Sequence, residues 1–199
     1  MKKLMLTLLG VFVLALSFIM PSIEAAADDG NNTIFNAVEF TSKKPVTDEL
    51  ESDSDIDWFK YTVNSKGTIC FSLINLSEKE GRWEITIFDE NGQNKIWSET
   101  TDIKATSTVS PLYSFAKGTV LTFRIKNYWN TKGLSYQLSA AIDETGDWAD
   151  EDNGNFSKAN ILTDKKPLLG LINYDSDVDW YKYTVSSTKV LPLSRTFLI

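Results

Sequence analysis

Asp55-Ile56-Asp57-Trp58-Phe59-Lys60-Tyr61-Thr62-Val63 returns late in the chain as Asp177-Val178-Asp179-Trp180-Tyr181-Lys182-Tyr183-Thr184-Val185. The offset is 122 residues (57 to 179), and it holds backwards without a gap. Lys43-Lys44-Pro45 falls on Lys165-Lys166-Pro167, Ala37 on Ala159, and Asn31 on Asn153. Nearly half of the paired positions from Asn31 to Ser65 are identical. Self-similarity at a fixed offset marks a repeated structural unit. The segment also alternates: Phe59, Tyr61 and Val63 share one face, and Trp58 and Lys60 point away from it. Period two in aromatic and β-branched residues predicts a half-buried strand.

The same alternation spreads outward. Ile69, Phe71 and Leu73 align in Thr68 to Ile74, and Trp83, Ile85 and Ile87 in Arg82 to Phe88. Asp89-Glu90-Asn91-Gly92 signals a turn into Lys95 to Thr100. Leu121, Phe123 and Ile125 align in Thr119 to Lys126, and Leu134, Tyr136, Leu138 and Ala140 in Leu134 to Ile142. Val46 to Leu50 and Val109 to Phe115 are weaker candidates. Many short strands without helical periodicity predict an all-β fold, a jelly-roll-like β-sandwich, over residues 28–142.

An acidic linker, 143–150, leads into a second copy over 151–199. That copy has fewer than half the residues of the first and is expected to be truncated. Past Ser187 the match decays. A disrupted reading frame and a genuinely short, divergent end both account for this.

Lys2 and Lys3, the apolar run Leu4 to Ile19, Pro21 and Ala25-Ala26-Ala27 form the pattern of a secretory signal peptide over 1–27. The expected location is therefore secreted, extracellular or associated with the cell wall, with no membrane contact after cleavage. The whole chain carries −7. Cleavage removes Lys2, Lys3 and Glu24, a net +1, and leaves −8. An acidic chain without a basic cluster argues against nucleic acid as a partner. The chain has no histidine, which excludes His-ligated zinc and Ser-His-Asp or Cys-His catalysis. A single cysteine, Cys70, excludes an internal disulfide, and its position opposite Ile69 and Phe71 predicts a half-exposed, inert thiol.

Two constellations remain. Asp53, Asp55 and Asp57 follow Asp28, Asp29, Asn31 and Asn32; Asp175, Asp177 and Asp179 follow Glu151, Asp152 and Asn153. Two oxygen-rich segments brought together suit calcium, which takes six to eight oxygens. Solvated turns favour the same residue types. Among the aromatics, Trp97 and Trp129 are candidates for a ligand-binding platform, whereas Trp83 reads as core. Glu78, Glu80, Glu84 and Glu99 show no pairing suited to hydrolysis, so no enzymatic activity is expected.

The repeated Asp-x-Asp-Trp-(Phe/Tyr)-Lys-Tyr-Thr-Val segment follows an acidic-Asn opening and an Ala. It resembles the bacterial pre-peptidase C-terminal domain, related to the collagen-binding domains of bacterial collagenases. The resemblance covers the first copy and what remains of the second. It implies a secreted, non-catalytic β-sandwich of the kind appended to exported peptidases. The implied partner is an extracellular polymer or protein: a collagen-like chain, a peptide or a polysaccharide. It also implies calcium. Carried over by position, the ligands are Asp29, Asn31, Asn32 and Asp57 in the first copy, and Glu151, Asn153 and Asp179 in the second. Gly154 and Asn32 stand where the pattern has Asp, and Ser54 where the collagen-binding relatives have a carboxylate.

Overall fold

A computed structural model describes residues 30–103, 107–146, 148–163, 166–173 and 177–185. The expected signal peptide, Asp28, Asp29, Asp175 and residues 186–199 lie outside the described residues. The first unit is an all-β sandwich. Its strands are β1 (Val38–Phe40), β2 (Val46–Glu49), β3 (Ile56–Thr62), β4 (Thr68–Asn75), β5 (Arg82–Asp89), β6 (Lys95–Thr100), β7 (Ser107–Val109), β8 (Val120–Trp129) and β9 (Ser135–Asp143). One sheet has the order β1-β3-β8-β5-β6 and the other β2-β9-β4-β7.

The alternation in the sequence sets which side chains face inward. In β3, Asp57, Phe59 and Tyr61 are buried while their neighbours are half-exposed. Phe40, Phe59, Tyr61 and Phe123 from the five-stranded sheet meet Phe71 and Tyr136 from the four-stranded sheet. The rings of Phe71 and Phe123 touch edge to face at 4.7 Å. Interdigitated aromatics of this kind add to the stabilisation from burial alone. Trp83 lies in the same core.

Two strand expectations need correction. Val109 to Phe115 is not a strand: pairing with β4 covers Ser107 to Val109 and then stops. Pro111 has no N–H to continue the ladder, and Ser110 turns its hydroxyl to accept from the Phe71 N–H at 3.0 Å. The chain touches the sheet again only at Tyr113, bridged to Ile69. β1 was not expected. It lies parallel to β3, with Val38 opposite Phe59 and Phe40 opposite Tyr61. Three residues in a parallel edge pair carry too little alternation to be read.

Some elements of 31–61 recur at the offset of 122, although β2 has no counterpart strand among the described residues. The 3-10 turn Ile34–Asn36 has its counterpart at Phe156–Lys158. The bridge between Thr41 and Lys44 has its counterpart between Thr163 and Lys166. β10 (Asn160–Leu162) and β11 (Tyr181–Tyr183) pair in parallel, Asn160 opposite Tyr181, as Val38 pairs with Phe59. The Trp58 N–H donates to the Asn31 carbonyl at 3.0 Å, and the Trp180 N–H donates to the Asn153 carbonyl at 3.1 Å.

The segment expected as a linker touches both parts. Thr145 caps the Asp143 carboxylate at 2.8 Å, Trp148 bridges Leu169, and Asp150 pairs with Lys66 at 3.3 Å. Among the described residues, no helix is long and apolar enough to cross a membrane.

Candidate functional site

The first copy of the motif places an aspartate at the start of the inner strand β3, where burial demands a partner for its carboxylate. In the first unit that residue is Asp57, buried at 2 % exposure. The Tyr136 hydroxyl, from β9 on the opposite sheet, donates to its Oδ2 through a short hydrogen bond. Asn31, also buried, donates through Nδ2 to Asp48 Oδ2 at 3.1 Å. Asn32 is exposed. Asp55 closes the preceding turn, accepting from the Glu51 N–H at 2.9 Å and the Ile56 N–H at 2.8 Å. Sequence reasoning missed Asp48 and Tyr136, because nothing local marks a partner contributed by another strand.

The second unit solves the same problem differently. Asp177 Oδ2 accepts from the Asn173 N–H at 2.8 Å, as Asp55 Oδ2 accepts from the Glu51 N–H. Glu151, Asp177 and Asp179 then converge, with one oxygen from each within 4.8 Å of the others. Glu151 and Asp179 were expected as ligands. Asp177 belonged to the acidic repeat but not to the expected set. Asn153 is buried at 1 % exposure.

Glu151 Oε1, Asp179 Oδ1 and Asn153 Nδ2 are buried without a hydrogen-bond partner. The Asn153 amide admits either orientation, so its orphan atom can equally be the oxygen. Among the described residues, no Lys or Arg bridges the three carboxylates; Lys158 binds Asp152 at 2.6 Å instead.

Burial, then the charges of Asp179, Asp177 and Asp150, push the Glu151 carboxyl up to about 7 against the lowering effect of the Ser114 hydroxyl. Burial and the Asp179 charge push the Tyr181 hydroxyl up to about 12. The cluster sits where the two units meet. Asn173 Oδ1 accepts from the Ser114 N–H at 2.7 Å, and its Nδ2 donates to the Ser114 carbonyl. An all-oxygen set with unpaired buried lone pairs suits a hard cation rather than a soft one.

The aromatic candidates do not meet. Trp97 lies opposite Ile87 and packs against the core, half-buried. Trp129 lies opposite Arg82, at the far end of β5, and is 46 % exposed. Five residues of strand separate Ile87 from Arg82, roughly 16 Å. Cys70 is half-buried, and burial raises its thiol.

No family model matches the chain, and no curated protein matches it. Among solved structures, it is similar to the pre-peptidase C-terminal domain of the collagenase from Bacillus anthracis. That match has 17 % identity and a TM-score of 0.41 over 53 % of this chain and 94 % of the other. The family read from the repeated motif is thus also met among the solved structures. The chain is also similar to carbohydrate-binding module CBM36 in complex with calcium and xylotriose, at 14 % identity and a TM-score of 0.27 over 46 % of this chain and 74 % of that one. A third similarity is to the GH26-CBM35 mannanase of Podospora anserina, at 16 % identity and a TM-score of 0.31 over 58 % and 32 %. The neighbours include β-sandwich accessory and carbohydrate-binding domains.

Proposed function

We propose that this protein is an exported, non-catalytic accessory module that binds an extracellular polymer or protein and takes calcium in its second unit. Residues 28–142 form the module, and the part from 151 onward is a second copy of its first portion. Glu151, Asp177 and Asp179 hold the ion, with Asn153 beside them. One observation carries the calcium reading: Glu151 Oε1 and Asp179 Oδ1 are buried without partners where three carboxylates converge. A buried charge is tolerated when paired or bound to a metal. Bound calcium would supply charge and fill the open lone pairs; the protein's part is to hold the oxygens together through the bond from the Asn173 N–H to Asp177 and the contact of Asn173 with Ser114. The first unit is offered as calcium-free at Asp57, where Tyr136 already occupies the carboxylate.

Thermal melting of the purified protein with and without calcium tests the ion. Calcium at a hundred times its dissociation constant adds about 2.7 kcal/mol to the bound unit. The expected result is a transition raised by several degrees, lost in a Glu151→Gln, Asp179→Asn double variant. An unmoved transition sinks the calcium reading. The binding role is checked separately by co-sedimentation with cell-wall, polysaccharide and collagen preparations; failure with all three counts against it.

A further inference from the structure

One irregular step in β8 collects three side chains at one place. Trp129 pairs with Arg82 and Asn127 pairs with Trp83, so Tyr128 has no residue opposite it on β5. That is a β-bulge. In a regular strand Tyr128 and Trp129 would face opposite sides of the sheet. Residues directly opposite each other share a face, which puts Trp129 on the side of Arg82. The Arg82 guanidinium lies 4.7 Å from the centre of the Tyr128 ring, so Tyr128 is on that side too. Trp83, the next residue, is buried in the core, which makes this the outer face. The bulge therefore sets two consecutive aromatics beside one cation.

The backbone around them is firmly tied. Arg82 Nε donates to the carbonyl of buried Thr101 at 2.7 Å. Past Trp129 the chain turns at Asn130, the one non-glycine residue with positive φ among the described residues, at 52°. Its Nδ2 donates to the Glu80 carbonyl at 2.9 Å. A Cβ at Gly81 would come within 2.8 Å of the Asn130 carbonyl oxygen, so the two segments touch backbone to backbone. Bulges and left-handed residues of this kind gather at binding sites. Yet Tyr128 and Trp129 are 55 % and 46 % exposed. Among the described residues, no carboxylate pairs with Arg82.

Size and charge select the occupant. Half of two aromatic side chains offers about 200 Å², against about 800 Å² per partner in a stable protein interface. Exposed, charged Glu80 and Lys132 flank the group in sequence. β5 and β8 are both interior to their sheet, so a peptide strand finds no edge to pair with. The net charge of −7 disfavours a polyanion. A pyranose ring meets all of these conditions. Its C–H face lies on an aromatic face, and its hydroxyls accept from a guanidinium.

We propose that Tyr128, Trp129 and Arg82 bind a neutral polysaccharide, the rings stacking on pyranose faces and Arg82 donating to sugar hydroxyls. The proposal rests on the accessory-module reading above and names its ligand class.

Depletion of the full chain from solution by insoluble cellulose, xylan and mannan, with collagen fibrils alongside, tests it. Saturable binding to at least one of the three polysaccharides is expected. A Tyr128→Ala, Trp129→Ala double variant should bind about tenfold more weakly or worse, with circular dichroism and melting as in the parent. Phe35→Ala, which removes an exposed ring in the 3-10 turn at Ile34–Asn36, should leave binding unchanged. A soluble oligosaccharide of the bound polymer should change tryptophan emission. Trp129→Phe, which keeps a stacking ring, should still bind but lose that change. Undiminished binding by the double variant, or an emission change that survives in Trp129→Phe, overturns the proposal and leaves the accessory-module reading standing. Binding to collagen alone does the same. Failure with all four preparations sinks both.

Discussion

Residues 31–61 and 153–183 are built on the same pattern and pair in the same register, yet they satisfy their buried polar groups by different means. In the first, Asp57 receives the Tyr136 hydroxyl and Asn31 reaches Asp48. In the second, Gly170 occupies the place of Asp48, and a side chain there would press on the Tyr181 hydroxyl. Asp179 and Glu151 keep oxygens without partners. The backbone motif is therefore separable from the chemistry at its head. Nine strands around the first copy supply a proton donor from within; around the second copy, three carboxylates gather instead.

The largest contrast should come from one motif position substituted in both copies. Phe59→Ala removes a fully buried ring and is expected to cost about 3–5 kcal/mol in urea denaturation. Tyr181→Ala, at the equivalent place, should cost less than about 1 kcal/mol. Equal costs would break the comparison.

Next in size is Tyr136→Phe. It strips a donor from buried Asp57 and should destabilise the first unit by about 1–3 kcal/mol, leaving calcium binding unchanged. A loss of calcium response in this variant would place the ion in the wrong unit.

A smaller effect concerns pH. The Glu151 carboxyl is raised from 4.5 to about 7 in the fold. Protonation is then favoured by folding, so this contribution is complete below about 4.5 and fades as pH rises through about 7. Without calcium, the second unit should loosen across that window. Calcium should reverse the trend, since the ion competes with the proton and binds more tightly as pH rises. Glu151→Gln should flatten both dependences, measured as melting temperature against pH.

Much of the fold was legible because alternation and burial coincide. β3, β4, β5, β6, β8 and β9 all begin or end within two residues of their expected bounds. β1 was not, since a three-residue parallel edge strand takes its identity from its neighbour rather than from its own pattern. The site was legible in part. The family resemblance implied Glu151, Asn153 and Asp179, and the acidic repeat already contained Asp177. Tyr136 and Asp48 stayed hidden, because they reach Asp57 and Asn31 across 79 and 17 residues of chain, and sequence spacing carries no trace of that packing. Trp97 shows the converse: its exposure was set by the neighbouring Ile87 on β5, which turns it toward the core.

Amide hydrogen exchange of the full chain, followed by mass spectrometry with and without calcium, tests the difference between the two copies most directly. Calcium is predicted to slow exchange in residues 151–183 and to leave 31–61 unchanged. Equal slowing in both segments, or slowing confined to 31–61, would contradict the assignment of the cation to Glu151, Asp177 and Asp179.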